Sequence, residues 1–341
     1  FHPTGLVIPG SLMTGALLEE GLRGAGGLLR NGLGERFMQR YDPARMERST
    51  RDLVSRASFL EIAEGRGTPN GGVWIDVSHL GADNVERAFR GMVRRCRDFG
   101  RDLARGPVEV QPTTHFMMGG IVADSSCRTM VEALFVAGED AGGVHGANRL
   151  GGNGVAESTV FGGIAGDVMA EFVAGQRASR LDESVVERTA LAVNAPRRRA
   201  ADADLYALQR ELRALMWDKA GLVRDAAGLG EARVGVERIA AALRRVGVPG
   251  HGAFNIAWQD WLNLSNQVTV AALIVASALE RTESRGAHYR SDFPAPEPGP
   301  IFTVRVRQRR GEMVVSRAPV DFTRMAPSPA APATVAVDIG D

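Results

Sequence analysis

Three short segments of the chain combine histidine or arginine with glycine: residues 1–5 (FHPTG), 115–121 (HFMMGGI) and 145–154 (HGANRLGGNG). Glycine lets the backbone approach a ligand closely and adopt a positive φ, so main-chain N–H groups can contact a ring or a phosphate. Arginine offers a rigid fork of donors for a carboxylate, and histidine adds further donors. Together the segments predict one pocket for a small anion beside a flat ligand. A single such segment is also typical of a turn that carries a solvated charge.

Composition excludes several functional classes. The 341 residues suffice for two or three domains and a large core. The 41 basic and 40 acidic residues nearly cancel, so we expect no binding to nucleic acid. Cys96 and Cys127 have no CxxC neighbour, so no metal site or redox pair is expected. The apolar stretch 268–279 is shorter than the roughly 20 residues of a spanning helix, so no direct membrane insertion is expected.

Hydrophobic periodicity in the first 110 residues predicts a mixed α+β region. Helices are expected at residues 12–23 and 50–64, and a strand at residues 73–77. An amphipathic helix should follow, with apolar positions from Val85 to Phe99 that include a buried Cys96.

Beyond residue 110, the pattern of apolar and polar residues changes three times. Short apolar strands with glycine turns, at 120–123 and 134–138, precede a helix at 155–173. This order is typical of an α/β domain, in which ligands lie beyond the carboxyl ends of strands. Residues 183–285 predict a bundle of three helices, and alternation after Pro294 predicts a β-hairpin. Residues 326–341 are rich in alanine and proline, and we expect them to be flexible.

Taken in order, the motifs of residues 1–294 resemble the flavoprotein subunit of the succinate dehydrogenase and fumarate reductase family. Besides the three segments above, the resemblance rests on EEGLRGAGG (19–27), GERFMQRYDP (34–43), EGRG (64–67), LFVAGEDAGG (134–143), LMWDKAGLVR (215–224) and ESRGAHYRSDFP (283–294). It implies an α/β and α+β multidomain fold: a capping domain that closes over the substrate (1–110), the C-terminal half of an FAD-binding α/β domain (111–180), a helical bundle (183–290), and a C-terminal hairpin and tail (291–341).

The resemblance also implies what precedes the chain. In the family, a strand, a GxGxxG turn and a helix hold the pyrophosphate of FAD, and no such unit opens this sequence. We therefore expect the chain to be a C-terminal part of a longer flavoprotein and to bind FAD poorly by itself.

For the substrate, the resemblance implies a dicarboxylate clamped at both ends. His115 and Arg149 would hold one carboxylate and His2 the other. The proton would be exchanged by Arg66 and relayed through Glu20 and Arg23, with the far end of the relay open to solvent. Without the resemblance, Glu20 and Arg23 would be an ordinary surface pair three residues apart on a helix.

For the cofactor, the resemblance places six residues around the flavin ring and ribityl chain: Glu139, His145, Asn148, Gly151, Gly152 and Asn153. His145 and Asn153 could instead stabilise a turn.

Two positions depart from the family pattern. Glu19 stands where the family usually has a threonine whose hydroxyl donates to a substrate carboxylate, and Ala25 replaces a glutamate. A carboxylate at Glu19 would repel a dianion, although Thr14 or Ser11 could supply the hydroxyl.

The function implied is interconversion of fumarate and succinate, with electrons passing through FAD to iron–sulfur and membrane anchor subunits. The protein would be cytoplasmic, or peripheral on the cytoplasmic face of the membrane through these partners. L-aspartate oxidase is the alternative that LMWDKAGLVR favours, whereas HFMMGGI, EGRG and GAHYRSDFP favour the first interpretation. A piece that cannot bind FAD alone and is not catalytic is the third.

Overall fold

The structure, a computed structural model, describes residues 1–175, 181–200 and 203–325. The chain forms two compact units, Phe1–Gln176 and Arg177–Ala331. The stretch 326–341, which we expected to be flexible, lies outside the described residues.

A four-stranded sheet forms the centre of the first unit. Its strands are β1 (His2–Leu6), β2 (Leu28–Arg30), β3 (Val73–Asp76) and β4 (Val108–Thr113). Their order is β1-β4-β3-β2, and every neighbouring pair is antiparallel. Strand β3 confirms the strand expected at residues 73–77, and β4 crosses the expected domain boundary at residue 110.

The helix expected at residues 12–23 is wrong. Instead, the chain folds back on β1: Leu6 donates its N–H to Ala16 at 2.8 Å, and Leu18 donates to Thr4 at 2.8 Å. Gly15 makes this return possible because its φ is 96°. Only the short helix α1 (Gly21–Gly24) remains helical.

The helix expected at residues 50–64 is confirmed, whereas the helix expected around Cys96 is divided in two. After α2 (Met38–Tyr41), helix α3 spans Arg51–Glu61 and passes into a π turn, Ile62–Arg66, in which Gly65 has a φ of 76°. One amphipathic helix was expected around Cys96, but Phe89 separates α4 (Ala82–Ala88) from α5 (Arg90–Arg97). Cys96 is buried as expected. Single 3-10 turns lie at Met46–Arg48 and Ser78–Leu80.

The segment between residues 114 and 152 contains less regular structure than expected. The strands predicted at residues 120–123 and 134–138 appear as isolated bridges, such as Ile121 with Ala141 and Arg128 with Phe135. A 3-10 turn follows at Gly138–Asp140. The predicted helix at 155–173 is confirmed as α6 (Asn153–Ala174).

Helices α7 to α10 make up most of the second unit: α7 (Glu183–Asn194), α8 (Leu205–Ala220), α9 (Ala226–Leu243) and α10 (Ile256–Glu280). Each begins at a residue whose side chain accepts from backbone N–H groups of the first turn, namely Asp182, Asp204, Asp225 and Asn255. The 3-10 turn Ala195–Arg198 follows α7. Three helices were expected here, and three of the four, α8, α9 and α10, share a core that includes Leu212, Ile239 and Leu264.

Two features of the second unit bear on the sequence expectations. The β-hairpin is confirmed as β5 (Phe302–Arg309) and β6 (Glu312–Pro319), paired in register from Phe302 with Pro319 to Arg309 with Glu312. The apolar segment at 268–279 was expected to be too short to span a membrane, but by length and composition alone the helix that contains it, α10, could cross one; Leu264, Val268 and Val275 of this helix are buried within the unit.

Candidate functional site

A cavity of about 570 Å³ lies in the first unit. Residues from distant segments line it: His2, Leu17, Glu19, Glu20, Arg51, Met92, Arg95, His115, Gly151 and Gly152. The single pocket expected from the three glycine-containing segments is therefore present, because β1, the loop after β4 and the start of α6 each contribute to its wall.

Two histidines face each other in this cavity. The rings of His2 and His115 lie edge to face with centroids 5.4 Å apart. Burial, followed by the charge of Arg51, lowers the pKa of His2 to about 3. Burial and the nearby charge of Arg149 also lower the pKa of His115. Both rings are therefore neutral at pH 7, and they can offer hydrogen bonds to a carboxylate but no charge.

The cavity also contains a carboxylate between two guanidinium groups. Glu20 forms ion pairs with Arg51 and with Arg23, whose Nη2 lies 2.9 Å from Glu20 Oε1. Burial raises the pKa of Glu20, but the hydrogen bond and charge of Arg51, and then Arg23, bring it below its ordinary value. Arg23 is 2% exposed, whereas the Glu20 side chain is 42% exposed. The expected exposure is thus reversed: the carboxylate, and not Arg23, is accessible to solvent.

The predicted contact of Arg66 with Glu20 is wrong. Arg66 pairs instead with Glu61, at 2.8 Å, and with Glu64, at 2.5 Å. Arg66 follows α3, whereas Arg51 is the first residue of that helix. Since a helix rises about 1.5 Å per residue, α3 alone separates these positions by roughly 15 Å. Arg51 occupies the place in the relay that the resemblance assigns to Arg66.

Sequence reasoning missed Arg51, although one feature distinguishes it. A positive charge in the first turn of a helix is unfavourable, because the N–H groups there carry partial positive charge. An arginine directly after Thr50, which precedes the helix in an extended conformation, therefore indicates that something else holds the cation. In the structure, Glu20 does so.

Arg149 reaches the cavity through His115. Its Nη2 lies 2.8 Å from His115 Nε2, which accepts the hydrogen bond. The guanidinium also lies over the ring of Phe116, 4.2 Å from its centroid. Phe116 packs edge to face against His145 at 5.2 Å, and His145 Nε2 lies 2.7 Å from Glu157 Oε2. The expected partners, His115 and Arg149, are thus brought together.

The remaining residues expected at a flavin lie around the start of α6. Glu139 accepts a hydrogen bond from the N–H of Met117 at 2.9 Å, and Asn148 donates to Asp52 at 2.6 Å. Gly152, with a φ of 82°, precedes the helix, and Asn153 is its first residue. A Cβ at Gly151 would come within 2.9 Å of Glu20 Oε2, so a larger residue here would displace the end of the Glu20 side chain.

These residues fit one part of FAD. No side chain caps α6 at Gly152, which leaves the start of the helix open to an acceptor. The apolar side chains of Leu150, Val155 and Met117 are exposed beside it and could cover a flat ring. Glu139, His145, Gly151 and Gly152 would hold the ring side, while the sequence contains no glycine-rich turn of the GxGxxG kind for the pyrophosphate.

The structure shows where Glu19 lies and whether Thr14 or Ser11 can supply a hydroxyl beside it. Glu19 lines the cavity, as expected. Thr14 cannot supply the missing hydroxyl, because its Oγ1 donates to the carbonyl oxygen of Ile8 at 2.7 Å and lies outside the cavity wall. Ser11 accepts from the N–H of Met13 and is also absent from that wall. In the described ranges, no group of three or more histidine, cysteine, aspartate or glutamate side chains could hold a metal ion.

Comparison with protein families accounts for both units. Residues 1–155 match the FAD binding domain family, and residues 209–333 match the fumarate reductase flavoprotein C-terminal family.

Individual relatives agree with these family matches. The chain is 35% identical over 355 residues to the fumarate reductase flavoprotein subunit of Mycobacterium tuberculosis, covering 96% of this chain and 59% of the relative. It is 35% identical over 314 residues to L-aspartate oxidase of Synechocystis, with 86% and 54% covered. A solved structure of E. coli quinol fumarate reductase is similar with a TM-score of 0.88 at 28% identity, covering 96% of this chain and 59% of that one. The chain thus spans little more than half the length of the curated relatives.

Proposed function

The chain belongs to the flavoprotein-subunit family of succinate dehydrogenase and fumarate reductase, and from that premise we propose that its protein interconverts fumarate and succinate. The observation that carries the proposal is the Arg51–Glu20–Arg23 series, which lies in a cavity with two neutral histidines. A site of this kind can bind a dicarboxylate and move a proton at one of its carbons.

Substrate binding falls to residues on separate segments. His115, held by Arg149, and His2 would each donate to one carboxylate of the substrate. The guanidinium of Arg149 adds the charge that the neutral histidines lack, and charged hydrogen bonds contribute about 1.5–3 kcal/mol each. Fixing both carboxylates would place a substrate carbon against Arg51.

FAD, when bound, would supply the hydride chemistry at one of the two central carbons. At the neighbouring carbon, Arg51 would donate the proton when fumarate is reduced and accept it when succinate is oxidised. A guanidinium is seldom neutral, because its pKa exceeds about 12. Glu20 solves this difficulty, since its carboxylate contacts Arg51 directly and can pass a proton as Arg51 loses one.

Electron transfer requires partners. The relative from Mycobacterium tuberculosis is named as the flavoprotein subunit of its enzyme, and a subunit by definition works with others. In line with this, the protein would pass electrons to an iron–sulfur subunit, with membrane anchor subunits beyond it. It would then be cytoplasmic or peripheral on the cytoplasmic face of the membrane.

L-aspartate oxidase is the second candidate, and Glu19 favours it. A carboxylate in the cavity wall can pair with the α-ammonium group of aspartate, whereas it repels a dianion. The test compares turnover of succinate and L-aspartate with an artificial electron acceptor, in the full-length flavin-loaded protein and in its Glu19→Thr variant. We expect both proteins to oxidise succinate faster than L-aspartate. If the unmodified protein instead oxidised L-aspartate faster than succinate and Glu19→Thr lost this activity, L-aspartate oxidase would be the correct function.

The third interpretation is a chain that is not catalytic and cannot hold FAD by itself. The flavin absorbance of the purified 341-residue chain tests it. We expect little bound flavin, because the residues described above would hold only the ring side of FAD. Stoichiometric flavin would contradict this expectation.

A further inference from the structure

Arg95 lines the cavity and has no role in the family assignment made above. It lies on α5, two residues from the end of the helix, and is partly buried. Its Nη1 donates to the carbonyl oxygen of Leu17, 78 positions away in the chain. A guanidinium has five N–H donors, so this bond leaves most of them free.

The positive charges of the other cavity residues are already compensated or absent. Arg51 is paired with Glu20, and both histidines are neutral at pH 7. Among the described residues, Arg95 has no acidic partner, and Glu19 has no basic one. The two face the same cavity without pairing with each other. Arg95 is therefore the cation of the wall that remains available to a ligand.

We propose that Arg95 binds a carboxylate of the substrate and that its charge offsets the charge of Glu19. The inference rests on the proposed function in one respect, namely that the ligand is a small dicarboxylate. Arg51 and Glu20 cancel, as do Arg95 and Glu19, so the wall itself is close to neutral. Without Arg95, Glu19 would leave the wall negative, and a dianion would be repelled. Where the family has a neutral hydroxyl, this cavity thus has two separate charges of opposite sign, those of Glu19 and Arg95.

The test measures by calorimetry how tightly malonate, a dicarboxylate that cannot be reduced or oxidised between its carboxylates, binds to the full-length flavin-loaded protein. We expect Arg95→Met to weaken malonate binding at least about tenfold, as the loss of a charged hydrogen bond should. The matched control is Arg94→Met, on the same helix but exposed and outside the cavity wall. It should bind malonate within twofold of the unmodified protein.

Glu19→Gln tests the second half of the proposal. Introduced into Arg95→Met, it should recover a large part of the lost affinity, because it removes the charge that Arg95 had offset. In the unmodified background it should strengthen binding severalfold. If Arg95→Met proves unstable, Arg95→Gln retains a donor for Leu17 and should show the same tenfold loss.

Two results would overturn the proposal: malonate affinity within twofold in Arg95→Met or Arg95→Gln, or an equal loss in Arg94→Met. Malonate binding does not depend on turnover, so the two proposals can fail separately. If the protein reduces fumarate but replacing Arg95 leaves malonate affinity unchanged, only this inference is wrong. If replacing Arg95 weakens malonate binding but the protein turns over neither fumarate nor succinate, only the proposed function is wrong.

Discussion

Arg51 and Glu20 form an ion pair across 31 positions of the chain, between the first residue of α3 and the residue that precedes α1. This contact decides which arginine can exchange a proton with a ligand in the cavity. It also holds a cation at a helix N-terminus, where the helix itself disfavours one.

Replacing Arg51 should abolish turnover, whereas replacing Arg66 should not. We expect Arg51→Gln to lower the rate of fumarate reduction at least about 100-fold, the contribution typical of a positioned acid or base. Arg66→Gln is the matched control, since Arg66 pairs with Glu61 and Glu64 at the other end of α3. Rates with an artificial electron donor, normalised to flavin content, check this. Retained activity in Arg51→Gln with a loss in Arg66→Gln would restore the assignment made from the sequence.

Glu61 should make the protein sensitive to acid. Its side chain is 0% exposed. Burial alone would raise the pKa of Glu61, but hydrogen bonds from Arg66, Asn31 and Tyr41 lower it to about 2. A carboxyl with a depressed pKa in the folded state stabilises the protein above the pKa of the unfolded chain, near 4.5, and this contribution is lost as the pH falls towards 2.

The measurement is the free energy of unfolding between pH 6 and 2, in the unmodified protein and in Glu61→Gln. We expect Glu61→Gln to be less stable at pH 6 by about 2 kcal/mol and the difference to shrink as the pH falls below 4.5. A difference that stays constant over this range would contradict the assigned pKa.

Dicarboxylate binding should not follow the titration of an ordinary histidine. The pKa of His2 is lowered to about 3 by burial and by Arg51, so the ring stays neutral through the range from pH 5.5 to 8. We expect malonate affinity to change by the same factor over that range in the unmodified protein and in His2→Asn. A tenfold gain on acidification, abolished by His2→Asn, would show that His2 binds as a cation.

The aromatic ring of Phe116 should hold the guanidinium of Arg149 in position. The guanidinium of Arg149 lies 4.2 Å from the ring centroid, and contacts of this kind contribute about 0.5–2 kcal/mol. We therefore expect Phe116→Leu to raise KM for fumarate by about 2- to 30-fold with a smaller change in kcat. Phe116→Tyr keeps the ring and is the control. Equal KM values in the two variants would mean that the ring does not support Arg149.

Much of this protein can be predicted from its sequence, because the relevant patterns are local. Alternating residues predict β5 and β6, and the 3.6-residue period predicts the bundle helices α8, α9 and α10, since one face of each is covered in the folded unit. The pairing of Glu20 with Arg23, three residues apart, is equally local. The glycine-containing segments indicate a common pocket because their residue types suit an anion.

Only the tertiary structure decided which charged groups meet in that pocket. The contacts of Arg51 with Glu20 and of Arg95 with Leu17 span 31 and 78 positions, and they depend on where α3 and α5 pack beside β1 and its return turn. The return turn itself contradicted a helical pattern, because hydrogen bonds to β1 outweighed the local preference of residues 12–20. Helix periodicity identifies the face that is buried but not the partner that covers it. Arg66 and Arg51, at opposite ends of one helix, could therefore be distinguished only by their contacts.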